Sequence, residues 1–177
     1  MRKSSLFVVL AVVYIDMLGI GLAFPVLPRL IGQFEHGDFA RASWMFGIIA
    51  SAYALMQFFM APVLGGLSDR YGRRPIILLA LFGMGINYLV MAVAPSLAWL
   101  FVGRLIAGAM GATFSTANAY LADITPPEKR AQSFGLIGAA FGFGFITGPA
   151  LGGFLGDIDL RLPFLFASLL SFANLVV

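Results

Sequence analysis

The sequence predicts an all-α fold, a polytopic bundle of six membrane helices, and three observations carry that expectation. Charged residues make up 11% of the 177-residue chain, while 60% is hydrophobic and mean hydropathy is +0.96. Soluble domains carry roughly 25% charged residues, and a water-facing surface cannot be covered with so few. Apolar runs of about 20 residues recur, each long enough to cross a ~30 Å hydrocarbon layer. None alternates with the period of two that a barrel strand needs, so each run satisfies its own backbone groups as a helix.

The first run, residues 6–28, follows the basic pair Arg2-Lys3 and imitates a secretory signal. It continues past signal length to Pro28 and carries Asp16 in its middle, which predicts a first membrane helix instead. Further spans are expected at 44–64, 75–94, 97–122 and 134–155, with Pro126-Pro127 punctuating the fourth-to-fifth connection. The last run, 163–177, holds only 15 residues, short of a comfortable span, and is expected to be a piece of a longer bundle. All of 1–177 is read as one six-helix unit.

Basic residues fix the expected orientation. Arg2, Lys3, Arg70, Arg73, Arg74, Lys129 and Arg130 fall on one side of these spans, against Arg29, Arg41 and Arg161 on the other. The excess places the N-terminus and the 65–74 connection in the cytoplasm. Connections on the opposite side, 33–38 and 156–159, are acidic or polar; His36 there reads as solvated, and Trp44 and Trp99 read as interfacial anchors.

Several function classes are excluded. The pI of 9.6 and net charge of +3 do not form a nucleic-acid stripe, because the basic residues sit at span ends. The absence of cysteine removes disulfides, thiolate metal sites and redox motifs. A membrane-embedded enzyme would need a nucleophile, metal ligands or paired acids at one depth. The His-Glu-x-x-His pattern is absent, and Gly19-x-Gly21-x-x-Phe24 lacks the third glycine of a nucleotide fingerprint.

Asp16 lies ten residues past Leu6, about 15 Å deep at ~1.5 Å per residue, near the bilayer midplane. An acid there costs roughly 2.5–3.5 kcal/mol to insert. Two roles fit it: reversible proton binding as a cavity opens to alternate sides, or a hydrogen-bonded acid that packs helices. Arg104 enters from the other side and needs a partner or a cavity. With Gly108, Gly111, Ser115 and Asn118 it follows helical spacing, so one polar, small face is expected. That face either lines a cavity, with Asp16 as counter-charge, or packs closely while Arg104 snorkels. Gln57 and Asn87 are candidate substrate contacts or bonds to an adjacent helix.

Between the second and third runs stands Gly65-Gly66-Leu67-Ser68-Asp69-Arg70-Tyr71-Gly72-Arg73-Arg74, expected as a compact charged loop. Its basic residues follow from orientation alone, whereas Asp69 and the glycines do not. Gly65 would let helices approach, and Asp69 can pair with an arginine in one conformation and release it in another. The spacing Gly-x-x-x-Asp-Arg-x-Gly-Arg-Arg resembles the loop joining the second and third helices of major facilitator transporters. Asp16-Met17-Leu18-Gly19-Ile20-Gly21 with Pro25-Val26-Leu27-Pro28, and Arg104-x-x-x-Gly108, resemble drug:proton antiporters. Gly135 with Gly144-x-x-x-Gly148-Pro149-x-x-Gly152-Gly153 resembles the antiporter motif, in which close glycines permit tight contact and Pro149 kinks the helix. Tyr53-Ala54-Leu55-Met56-Gln57, Ala61-Pro62, Gly111-Ala112-Thr113 and Ala122-Asp123 are similar to the tetracycline efflux group.

The resemblance covers essentially the whole chain and implies the six-helix N-terminal half of a major facilitator fold, two inverted three-helix repeats. It implies proton-coupled efflux of small amphipathic drugs by alternating access, in the bacterial cytoplasmic membrane, with a proton gradient for energy and no cofactor. Asp16 would carry coupling, and Asp69, Arg70, Gly72, Arg73 and Arg74 would belong to a gate holding the outward-open state. The implied partners are the lipid bilayer, the drug, protons, and a second half or another copy. One departure stands out: the tetracycline exporters have an acid in the third span where this chain has Asn87, which cannot exchange a proton. Uniport or symport of another small solute is the alternative on the same fold.

Overall fold

The computed structural model describes residues 3–111 and 113–175; Arg2, Ala112 and Val177 lie outside the described residues. Eight α-helices follow one another among them, with no strand. They are α1 (Lys3–Ala23), α2 (Val26–Phe34), α3 (Phe39–Tyr71), α4 (Arg73–Val93), α5 (Leu97–Met110), α6 (Thr113–Ile124), α7 (Arg130–Ile158) and α8 (Leu162–Asn174). A short 3-10 turn, Pro127–Lys129, leads into α7. Five segments are long and apolar enough to cross a membrane: 6–34, 39–71, 73–93, 97–124 and 127–158. The shorter α8 makes the sixth apolar helix.

Three of the expected segments differ in detail. The first run divides at Phe24-Pro25, where the proline has no N–H to continue the ladder of α1. The fourth consists of two helices, α5 ending at Met110 and α6 beginning at Thr113. Among the described residues, Arg104 and Gly108 thus belong to α5, and Ser115 and Asn118 to α6. The 65–74 segment is not a loop. α3 runs on through Tyr71, and only Gly72 leaves helical geometry, at φ +93 and ψ 159, before α4 starts. With 33 residues, α3 is about 50 Å long at 1.5 Å per residue, far more than the ~30 Å hydrocarbon layer. Its length exceeds what that layer requires, and its final turns carry Asp69 and Arg70. Ser68 Oγ donates to the Gly65 carbonyl at 2.7 Å within those turns.

Packing follows an exchanged pattern. α1 lies along α7, α3 along α5, and α4 along α8, with lesser contacts of α4 with α5 and of α1 with α8. Counting spans one to six, these pairs are 1–5, 2–4, 3–6, 3–4 and 1–6. Swapping 1 with 4, 2 with 5 and 3 with 6 returns the same set, as expected of two three-span repeats. Each repeat has an odd number of spans, so the second starts from the opposite side and is inverted. The apolar core lies among α1, α2, α4, α5 and α8, around Leu22, Val26, Ile31, Tyr88, Met91, Leu100 and Phe164. By contrast α3 and α7 leave large side chains uncovered, Phe58, Phe59, Phe143, Ile146 and Phe154 among them.

At the end bearing Arg29, Arg41 and Arg161 these cations are all engaged. Arg29 meets Asp157 at 2.7 Å, Arg41 meets Glu35 at 3.5 Å, and Arg161 donates to the carbonyls of Ala92 and Ala94 at 3.4 and 3.1 Å. Asp38 caps α3 by accepting from the amides of Ala40 and Arg41 at 3.0 and 3.1 Å. His36 is exposed in the turn before it, and Trp44 and Trp99 are also exposed.

Candidate functional site

Glycines set the geometry around Asp16. Gly144, Gly148 and Gly152 recur every four residues on α7 and press against the α1 backbone. A methyl group on Gly144 would lie 2.7 Å from the Tyr14 carbonyl oxygen, and one on Gly148 would lie 2.7 Å from the Gly21 Cα. Gly21 in turn faces Gly148 and Pro149. Such backbone-on-backbone contact is available only to the smallest residues. Pro149 stays within an unbroken α7. Gly135 and Gly153, in the same expected motif, have open space beside them, so close packing is confined to one stripe.

Held by that contact, the Asp16 side chain is 5% exposed, and its Oδ1 has no hydrogen-bond partner among the described residues. It lines a cavity of about 250 Å3 together with Tyr53, Gln57, Met84, Gly111, Phe141 and others. Gln57 donates from Nε2 to the Gly111 carbonyl at 3.2 Å, just past the end of α5. The bond to an adjacent helix foreseen for Gln57 is thus present, and the residue also faces the cavity. Aromatic and thioether walls around one carboxyl make a pocket suited to an apolar-bodied ligand or to a proton held away from bulk water.

Arg104 does not pair with Asp16. Its Nη2 donates to Met91 Sδ at 3.2 Å, its guanidinium lies 6.0 Å from the centre of the Tyr53 ring, and no carboxylate is within ion-pair distance among the described residues. The reason is axial offset. Gly111 is at the level of the Asp16 cavity, and Arg104 stands seven residues, about 10 Å, away along the helix. Tyr53 spans the gap, one side on the cavity and its ring beneath the guanidinium. Gly108 lets α5 approach α3, since a methyl there would sit 2.5 Å from the Tyr53 carbonyl oxygen. Ser115 and Asn118 belong to α6, the first exposed and the second half-buried.

Asn87 is fully buried between α4 and α5 and does not line the cavity. Its Oδ1 lies 3.1 Å from where a methyl on Gly103 would stand, and neither of its side-chain polar atoms has a partner among the described residues. Of the two candidate substrate contacts, Gln57 lines the Asp16 cavity and Asn87 does not. The neighbouring Tyr88 hydroxyl is also buried, with no partner among the described residues.

A second cluster forms where α3, α4 and α6 end. Arg73 meets Asp69 Oδ1 at 2.5 Å and Asp123 Oδ2 at 3.2 Å, and donates from Nη1 to Ser68 Oγ at 2.5 Å. One guanidinium thus ties the tail of α3 to the tail of α6 across the head of α4. Gly72 makes this possible by turning the chain so that α4 starts beside the tail of α3. Gly65 has nothing close to it, so it does not mediate helix approach here. Arg70 lies over the ring of Tyr71 at 5.4 Å, and Arg74 points to a different cavity. Asp123 and Tyr53 are the members that residue-level reasoning had not singled out. A tyrosine four residues before a glutamine on one face of an apolar helix was the available signal for Tyr53. Asp123 offered none beyond its place in a similar motif.

The sequence matches the Major Facilitator Superfamily over residues 6–177. The chain belongs to this superfamily. Among related major facilitators it is 49% identical over 175 residues to the tetracycline resistance protein, class C, of Escherichia coli, covering 99% of this chain and 44% of that protein. It is 32% identical over 168 residues to multidrug resistance protein 1 of Bacillus subtilis (strain 168), covering 94% and 42%. The crystal structure of the human organic anion transporter MFSD10 (TETRAN) superposes with a TM-score of 0.84 at 31% identity, over 97% of this chain and 45% of that one. The chain thus spans less than half the length of the relatives it matches. It has the fold of a six-helix half of a major facilitator and is a multi-pass membrane protein.

Proposed function

We propose that the chain forms half of a proton-coupled exporter of small amphipathic drugs that works by alternating access. The observation that carries this reading is the Asp16 carboxyl, buried at mid-helix with an unpartnered oxygen on an apolar, aromatic-walled cavity. An acid so placed takes up a proton when the cavity opens to one side and releases it when the cavity opens to the other. Similarity to proteins named for tetracycline and multidrug resistance supports drugs as the cargo.

In this proposal Arg73 is the gate's latch. Its two ion pairs are with carboxylates that are 66% and 59% exposed, and such pairs contribute about 0–1 kcal/mol each. Bonds of that size hold one conformation and still release it on each cycle. The basic end faces the cytoplasm, and the uncovered aromatic faces of α3 and α7 receive a second six-helix half, or another copy of the chain, to close the transport cavity.

The test is export from cells or proteoliposomes carrying the complete transporter, with drug accumulation followed beside an imposed pH gradient. Asp16→Asn is expected to abolish uphill export while retaining downhill drug flux. Uphill export by Asp16→Asn would overturn the coupling role. The alternative, uniport or symport of another solute, is favoured by Arg104, a cation facing a ring and a thioether instead of an acid. Under uniport, flux would survive a protonophore; under symport, the solute would accumulate in the cell instead of being expelled.

A further inference from the structure

A separate cavity of about 240 Å3 opens at the end of the bundle where α4 begins, between α1, α4 and α6, with α8 at its base. α1 and α4 run in the same direction, because one span separates them. Val8 and Arg74 therefore mark the shallow end, and Val12 and Leu81 the deep end. The walls are apolar, with Tyr120 the polar exception beside Arg74 near the mouth. Arg74 is exposed there and makes no ion pair or hydrogen bond among the described residues, unlike its neighbour Arg73. At the base, Asn174 is 1% exposed. Its Nδ2 donates to the Val12 carbonyl at 3.2 Å, which fixes the amide at the deep end and leaves Oδ1 buried with no partner.

A buried amide oxygen without a donor is costly, and a ligand bearing a donor would remove that cost. We propose that this cavity binds a compact amphiphile with an anionic group held at the mouth by Arg74, an apolar body along the α1 and α4 walls, and a hydroxyl or amide donor that reaches Asn174. The seven residues from Arg74 to Leu81 rise about 10 Å, which sets the separation of the two polar ends. The cavity is distinct from the one at Asp16, shares no lining residue with it, and does not depend on the export reading.

Three probes of matched length separate the contributions: 8-hydroxyoctanoate, octanoate and 1,8-octanediol, each titrated by saturation-transfer NMR against the full chain in neutral detergent. 8-Hydroxyoctanoate is expected to bind about three- to tenfold tighter than octanoate, the gain of one hydrogen bond to the buried amide. It should also bind about two- to fivefold tighter than the diol, the gain of an exposed charge pair. Arg74→Gln should erase the second difference and Asn174→Leu the first. Because Asn174→Leu also loses the bond to Val12, Val8→Trp provides a second variant that plugs the mouth and should weaken all three probes. Equal affinity for the three probes, or binding undiminished by Val8→Trp, would show uptake by the micelle and overturn the proposal.

Discussion

Arg73 shows how much organisation a single side chain can provide. It answers Asp69 four residues before it and Asp123 from α6, so losing either partner leaves the other pair in place, whereas losing Arg73 frees both carboxylates. If the cluster acts as a latch, Arg73→Ala should reduce export more than Asp123→Ala, and the double variant should fall no further than Arg73→Ala, because the variants act on one unit. Export rates from the three proteins, normalised to the amount in the membrane, would check this; additive losses would count against a shared role. At this scale the sequence reveals depth and not register. Asp16 was legible as a mid-membrane acid from its distance into an apolar run. Arg104 was legible as an intramembrane cation, but its two-turn offset from Asp16 depends on how α5 slides along α3, and that is set by contacts of Gly108 with the Tyr53 backbone. The burial of Asn87 was likewise invisible, since its spacing on α4 says nothing of which neighbour covers it.

At the scale of elements, the glycines of α7 separate into those that pack and those that do not. Gly148→Ala places a methyl group against the Gly21 backbone and should destabilise the protein by about 1–3 kcal/mol, as overpacking does. Gly153→Ala meets open space and should stay within about 0.5 kcal/mol. Thermal unfolding in detergent, followed by intrinsic fluorescence, would resolve the pair. Gly72 carries a different demand, because its φ of +93 with ψ 159 belongs to a region nearly exclusive to glycine. Gly72→Ala should cost about 1–3 kcal/mol and loosen the Asp69–Arg73 pairing. Hydropathy located the spans and missed their ends, because composition records where lipid stops and a helix stops where its hydrogen-bond ladder does. Hence 65–71 reads as a loop and forms the last turns of α3. The end of α5 at Met110 was hidden for the opposite reason: no proline marks it, and Gln57 from another helix donates to the Gly111 carbonyl beside it.

At the scale of the whole molecule, the uneven coverage of helices is informative. The apolar window of α3 is 11% buried and that of α7 is 17% buried, against 56% for α4. In the proposed full transporter, cysteines introduced at Phe58 and Phe154 should react more slowly with a bilayer-permeant thiol reagent than the same cysteines in this chain alone. Equal rates would argue that lipid, and not a second half, covers these faces. The exchanged pairing has a further bearing on how the protein is made. The glycine stripe that covers α1 lies on α7, so the ribosome must thread about 150 residues before the first helix finds its long-term neighbour. Until then Asp16 waits in the bilayer without the walls of its cavity. A nascent chain halted near residue 95 would leave three spans deprived of their main contacts, an easy target for membrane proteases, while one halted after α8 has every span of the half in place.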